Sequence, residues 1–132
     1  MNEGGDIKIV VIDDNKELAD TIKHFLQMRG FIVISAYGGK SGLEAVKKEK
    51  PDLIILDIMM PDMDGRDVLV NLKRGNETKD IPVIILTGKD EQFDREYGIE
   101  LGAYEYITKP YDSNALLRQV NSILGKKKTG EL

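Results

Sequence analysis

The stretch Pro51-Asp52-Leu53-Ile54-Ile55-Leu56-Asp57 decides how the rest of the chain is read. Leu53 to Leu56 is a short apolar run, rich in branched side chains and bounded by Pro51 and Pro61. A run of that length without polar alternation reads as a strand buried on both faces, the habit of a parallel sheet. Asp57 then stands where the chain leaves the sheet. In open α/β sheets, ligands bind outside the carboxyl ends of the strands. A lone acid there is more often a loop or capping residue, so its meaning depends on what converges on it.

Working outward, four more runs share this character. Ile7 to Ile12 is apolar except for Lys8 and ends in Asp13-Asp14-Asn15, residues that favour turns and helix N-caps. Phe31 to Ala36, Pro82 to Thr87 and Tyr104 to Lys109 are the other strand candidates. Pro82 suits the first residue of a strand because it has no N–H to donate to the ladder. Between them lie helical patterns. Lys16 to Arg29 carries Leu18, Ile22, Phe25 and Leu26, with Gly30 closing it. After the Tyr37-Gly38-Gly39 loop, a helix with Leu43, Ala45 and Val46 inward runs to about Glu49, where Lys50-Pro51 stops it. The loop through Pro61 leads to a helix that starts near Asp64, carries Val68, Leu69 and Leu72, and ends around Arg74-Gly75. Asn76 to Asp80 is a polar loop. Asp90 to Leu101 reads as an amphipathic helix with Phe93, Tyr97 and Leu101 on one side. Gly98 inside it costs roughly 1 kcal/mol against Ala, so this helix is expected to be less rigid. Asp112 or Ser113 caps a last helix with Leu116, Leu117, Val120 and Leu124 inward.

Five strand–helix units in strict alternation predict an α/β protein with a five-stranded parallel sheet and right-handed crossovers. Five units in 132 residues suit a doubly wound, flavodoxin-like (βα)5 fold, strand order 2-1-3-4-5, better than an eightfold barrel. A single domain over residues 1–132 is expected, its core about 7–124, with 1–5 and 126–132 as flexible ends. The three lysines after Gly125 read as a solvated helix end.

Composition narrows the function. Hydrophobic residues make up 41% and charged residues 32% of the chain, ordinary for a soluble globular protein. The net charge of −4 argues against direct nucleic-acid binding. With no cysteine there is no disulfide, cysteine–zinc site or thiol chemistry, which fits a cytoplasmic setting. No apolar run approaches the roughly 20 residues of a membrane span, and no signal peptide is visible.

The strand ends carry the chemistry. Strand one ends in Asp13 and Asp14, strand three in Asp57, strand four in Thr87 and strand five in Lys109-Pro110. In a parallel sheet these ends share one edge, and strands one and three are neighbours in the middle of it. Three carboxylates in one crevice repel each other, and a divalent cation, a basic residue or both would relieve them. Oxygen ligands without His or Cys point to a hard cation, and few carboxylates in an open site suggest Mg²⁺. Lys109 offers a point charge suited to phosphate and Thr87 a hydroxyl donor, with the small Gly88 leaving backbone accessible. Together these make a site for a phosphoryl group on a carboxylate, with Asp57 the nucleophile. Taken singly, Asp13-Asp14 is more often a helix cap, Thr87 a strand-end hydroxyl and Lys109 a surface residue. It is their convergence on one edge that makes the bland reading the weaker one.

These residues resemble the receiver domain of two-component response regulators, of the single-domain, chemotaxis-regulator kind. The resemblance spans about Ile7 to Leu124. It rests on Val10-Val11-Ile12-Asp13-Asp14-Asn15, on Asp57-x-x-Met60-Pro61-x-x-x-Gly65, on Leu86-Thr87-Gly88 and on Tyr106-Ile107-Thr108-Lys109-Pro110. It implies that Asp57 accepts a phosphoryl group from a phosphohistidine on a histidine kinase or phosphotransfer protein. It implies Mg²⁺ held by Asp14, by Asp13 partly through water, by Asp57 and by the backbone carbonyl of Met59. Thr87 and Lys109 would bind phosphate oxygens, and Lys109-Pro110 would be a cis peptide. Tyr106 would turn inward as Thr87 moves, changing the surface of the fourth helix, fifth strand and fifth helix, although a half-buried strand aromatic is an equal account of Tyr106 alone. Met59 and Lys89 stand where the family varies and tunes hydrolysis, and moderate to slow dephosphorylation is expected. Gly98 stands where the family commonly has Ala. Output would run through a partner, a homodimer or sequence beyond this chain. Such a domain is a signalling module that assists its own phosphotransfer and dephosphorylation, not an enzyme acting on a separate substrate.

Three other classes fit less well. A haloacid-dehalogenase-type phosphatase needs a second acid two residues after the nucleophile, where Met59 stands. A flavodoxin-like cofactor binder needs a phosphate loop after strand one, where acids stand instead. A receiver-like module that is never phosphorylated could dispense with some of the five key residues, yet all are present.

Overall fold

The computed structural model describes residues 6–58, 60–87, 102, 105–108 and 112–129. Strands β1 (Lys8–Ile12), β2 (Ile32–Ala36), β3 (Leu53–Asp57), β4 (Val83–Thr87) and β5 (Glu105–Thr108) form one parallel sheet in the order β2-β1-β3-β4-β5. The described helices are α1 (Lys16–Gln27), α2 (Gly39–Glu49), α3 (Gly65–Arg74) and α4 (Ser113–Thr129). This is the doubly wound architecture expected from the alternation of elements. The helix expected over 90–101, with its Gly98, lies outside the described residues.

The sheet divides the core by strand parity. Val10, Ile12, Ile54, Leu56, Val83 and Ile85 face one side and pack with Val46 of α2 and Val68, Leu69 and Leu72 of α3. Ile9, Val11, Leu53, Ile55, Ile84 and Leu86 face the other and pack with Ala19, Ile22 and Leu26 of α1 and Leu116, Val120 and Ile123 of α4. Period-2 alternation with both faces apolar is what a helix-covered parallel sheet requires. Each fully buried Ile or Leu contributes about 1.5–3 kcal/mol by leaving water.

Element ends follow local chemistry. Asn15 caps α1 by accepting the Leu18 N–H at 3.1 Å, and Asp64 caps α3 by accepting the Arg66 N–H at 2.8 Å. Asp112 does the same for α4 through the Asn114 N–H at 3.1 Å. The helix expected to reach Arg29 stops at Gln27. Arg29 and Gly30 donate to the carbonyls of Leu26 and Gln27, a tighter turn than α, and Gly30 takes a φ of 94°. Lys50 ends α2 in the left-handed region at φ 48°, because the following Pro51 disfavours a right-handed helical conformation before it. Pro82 lies just outside β4 and lends only its carbonyl, which accepts the Ile54 N–H at 3.0 Å. At the far end, α4 extends to Thr129 and so takes in the three lysines.

Candidate functional site

Register brings the acids together. Ile12 pairs with Leu56 across the centre of the sheet, so Asp13 and Asp57 follow on adjacent strands, about 4.8 Å apart in the pairing direction. The Asp13 N–H donates to the Ala36 carbonyl at 3.0 Å, extending the β1–β2 ladder by one residue. That pulls Asp13 into the protein at 0% exposure, while its neighbour Asp14 stays exposed. Asp57 is 2% exposed. One carboxylate oxygen from each of Asp13, Asp14 and Asp57 lies within 4.8 Å of the others.

Helix capping does not explain this cluster. Asn15 is the N-cap of α1, while Asp13 forms an Asx turn, its Oδ1 accepting the Asn15 N–H at 3.0 Å. Placing like charges this close opposes folding unless an opposite charge joins them. An all-oxygen donor set on one open edge fits a hard divalent cation, and its small carboxylate count fits Mg²⁺ better than a caged Ca²⁺.

The other expected site residues reach the same edge as far as their backbone is described. Asp57 pairs with Leu86, so Thr87, the last residue of β4, stands one step beyond Asp57 on the adjacent strand. Thr87 pairs with Thr108, the last residue of β5, and Tyr106 pairs with Ile85 two residues earlier. Met59, Gly88, Lys89, Lys109 and Pro110 lie outside the described residues.

The chain leaving Asp57 is tightly constrained. The Gly65 N–H donates to the Ile58 carbonyl at 2.7 Å. A Cβ at Gly65 would stand 2.5 Å from both the Asp57 carbonyl oxygen and the Ile58 Cα, backbone that cannot give way. The first residue of α3 must therefore be glycine for the helix to seat behind the acid. Sequence reasoning missed two further features of this edge. Asp62 accepts the N–H groups of Gly39 and Lys40 at the start of α2, at 3.0 and 3.3 Å. Its one visible signal was the Gly38-Gly39 pair, a helix start with no capping side chain of its own. Tyr37 donates its hydroxyl to Asp20 at 2.7 Å and lies under the Lys16 ammonium, 5.4 Å from the ring centre, tying the β2–α2 turn to α1. The Asp20 carboxylate raises the Tyr37 pKa above its usual 10.0 by accepting that proton.

Comparison with known proteins agrees with this geometry. A family model described as the response regulator receiver domain matches residues 9–121. A Clostridium thermocellum response regulator receiver domain is 32% identical, with 93% of this chain and 98% of that one covered and a TM-score of 0.85. The Francisella response regulator 1452 receiver domain is 31% identical, with 92% and 99% covered and a TM-score of 0.84. NtrX from Brucella abortus, solved in complex with ADP, is 26% identical with a TM-score of 0.86. There the match takes in 95% of this chain but 28% of NtrX.

Proposed function

The chain belongs to the response regulator receiver domain family, whose members serve phosphorelay signalling, and from that premise we propose that Asp57 is its phosphoacceptor. The observation that carries the reading is a nearly buried strand-end carboxylate with two more carboxylates within 4.8 Å of it, on the sheet edge where ligands bind. The donor is a phosphohistidine on a histidine kinase or phosphotransfer protein. A carboxylate oxygen of Asp57 attacks the phosphorus, a P–O bond forms, the P–N bond breaks, and its electron pair returns to the imidazole nitrogen.

Asp13, Asp14, Asp57 and the Met59 carbonyl would hold Mg²⁺. When bound, the ion offsets the clustered negative charge and stabilises charge on the phosphoryl oxygens. The residues of the chain do the rest. Burial keeps Asp57 fixed at the end of β3, and Gly65 lets α3 seat behind it. The Thr87 hydroxyl and the Lys109 ammonium bind phosphoryl oxygens after transfer. Movement of Thr87 toward the phosphoryl group allows Tyr106 to turn inward, shifting the population between two packings of the surface formed by residues 90–101, β5 and α4. An output protein, a fused output domain or a second copy reads that surface. The 28% coverage of NtrX is what a receiver module inside a longer protein gives. Among the described residues no helix is long and apolar enough to cross a membrane, and the reading places the reaction in the cytoplasm.

The test is intact mass after incubation with acetyl phosphate, with and without Mg²⁺, for the native chain and Asp57→Asn. A single phosphoryl adduct that needs Mg²⁺ and vanishes in the variant is expected. No adduct on a folded native chain across several small phosphodonors sinks the reading and leaves a receiver-like interaction module.

A further inference from the structure

We propose that Asp62 is a positioning residue: it clamps the β3–α3 loop onto the N-terminus of α2 and thereby sets the affinity of the acidic edge for a divalent cation. The inference rests on the phosphoacceptor reading and deepens it.

Helix α2 begins without a cap of its own. Its N-cap is Gly38, which has no side chain to offer, and its first turn holds no acidic residue. The leading N–H groups of a helix need acceptors, and its N-terminus favours negative charge. Both needs are met from 23 positions away by Asp62, whose Oδ1 accepts the Gly39 N–H at 3.0 Å and whose Oδ2 accepts the Lys40 N–H at 3.3 Å. The Gly39 N–H, and after it the Lys40 N–H, hold the Asp62 carboxyl below its usual pKa of 3.8. The contact exists because two side chains are missing. A Cβ at Gly38 would come within 3.0 Å of Asp62 Oδ2, and one at Gly39 within 2.6 Å of Met63 Cβ.

The loop is also tied at its far end, where Asp64 caps α3 and Gly65 presses on the backbone of Asp57 and Ile58. Residues 60–64 are thus tied to two helices. Met59, whose carbonyl is the one backbone ligand the reading assigns to Mg²⁺, directly precedes that stretch in sequence. Freeing one tie leaves a ligand that must be ordered each time the ion binds. Losing such an outer support typically costs about 10–100-fold in metal affinity, and for an exposed carboxylate the lower end, about tenfold, is expected.

The experiment is Mg²⁺ titration by calorimetry on the whole chain, with amide exchange at Gly39 and Lys40 read by NMR. Asp62→Ala should bind Mg²⁺ about tenfold more weakly, with faster exchange at both amides. Asp62→Asn keeps one acceptor and should recover part of the affinity. Gly39→Ala keeps the Asp62 charge but blocks the approach, and should weaken binding as Asp62→Ala does. Unchanged Mg²⁺ affinity in Asp62→Ala, with only a lower melting temperature, would make Asp62 a plain helix cap and overturn the proposal. Weakening in both Asp62 variants but not in Gly39→Ala would trace the effect to charge at a distance and also overturn it. Amides that exchange no faster in Asp62→Ala would show that there is no clamp. If the native chain itself takes up no Mg²⁺, the phosphoacceptor reading fails first and this proposal goes with it.

Discussion

At the amino-terminal edge of the sheet, charged and polar side chains end on backbone groups or on an opposite charge. Asp52 accepts the Lys8 N–H at 2.9 Å, and the Lys8 ammonium sits 3.3 Å from Glu49 Oε1. The Lys73 ammonium donates to the carbonyls of Lys79 and Ile81 at 3.1 and 2.8 Å, and the buried Thr78 hydroxyl donates to the Leu72 carbonyl that ends α3. At the carboxyl-terminal edge, three carboxylates of one sign meet within 4.8 Å, two of them buried. The first arrangement is explained by folding, since each group ends on a backbone partner or on an opposite charge. In the second, like charges gathered this close repel unless an opposite charge joins them. Gathered charge of that kind is why the carboxyl-terminal edge is the candidate site.

The comparison can be broken most sharply at Asp57. Mg²⁺ at a hundredfold excess over its dissociation constant should stabilise the native chain by about 2.7 kcal/mol, and Asp57→Asn should lose most of that gain. Thermal unfolding with and without Mg²⁺ measures it. An equal gain in the variant would mean that the ion binds elsewhere. Gly65→Ala comes next. Forcing a methyl group against fixed backbone should cost about 1–3 kcal/mol in urea unfolding and slow formation of the acetyl-phosphate adduct, because the intrusion displaces the acid itself. Thr78→Val sharpens the contrast from the opposite edge. It should cost about 0.5–1.5 kcal/mol by removing the buried hydroxyl's bond to the Leu72 carbonyl, which keeps the Gly75 N–H, yet leave the adduct rate unchanged. A slowed rate in that variant would show that the two edges are coupled.

The smallest expected effect concerns pH. Burial lowers the Lys73 pKa below 10.5, with Asp80 partly opposing it. The unfolded chain therefore holds this proton to higher pH than the folded one. Stability should rise as pH climbs through the window between the folded value and 10.5, and Lys73→Met should lack that increment. Urea unfolding of both proteins from pH 8 to 11 gives the difference, and parallel curves would count against a desolvated Lys73.

Much of the candidate site was legible because the signals for its acidic edge are local. Asp57 ends an unbroken apolar run, Asp13 and Asp14 end another, and strict strand–helix alternation sends those ends to one edge. Asn15 and Asp64 announce helix starts by type and position. The expected reach of α1 failed by two residues because Arg29 and Gly30 close a tighter turn, a choice made at the helix end and invisible to apolar spacing. Asp62 was passed over because its partners, Gly39 and Lys40, are distant in sequence. Nothing in the sequence singled out Lys73, which the fold half-buries with its ammonium on the Lys79 and Ile81 carbonyls.

By itself, then, the sequence determined the five strands, their parallel sheet and the edge that gathers the acids, because periodicity, turn residues and strand ends are properties of neighbours along the chain. Tertiary structure alone decided which of two adjacent acids is buried, through a single extra ladder bond from Asp13 to Ala36. It alone decided that α2 is capped by a loop from the far side of β3, and that Gly65 must be bare for α3 to lie against Asp57. Each of these depends on close approach between segments that fold together from separate parts of the chain. Such approach is set by packing at ångström scale, which the order of residues does not display.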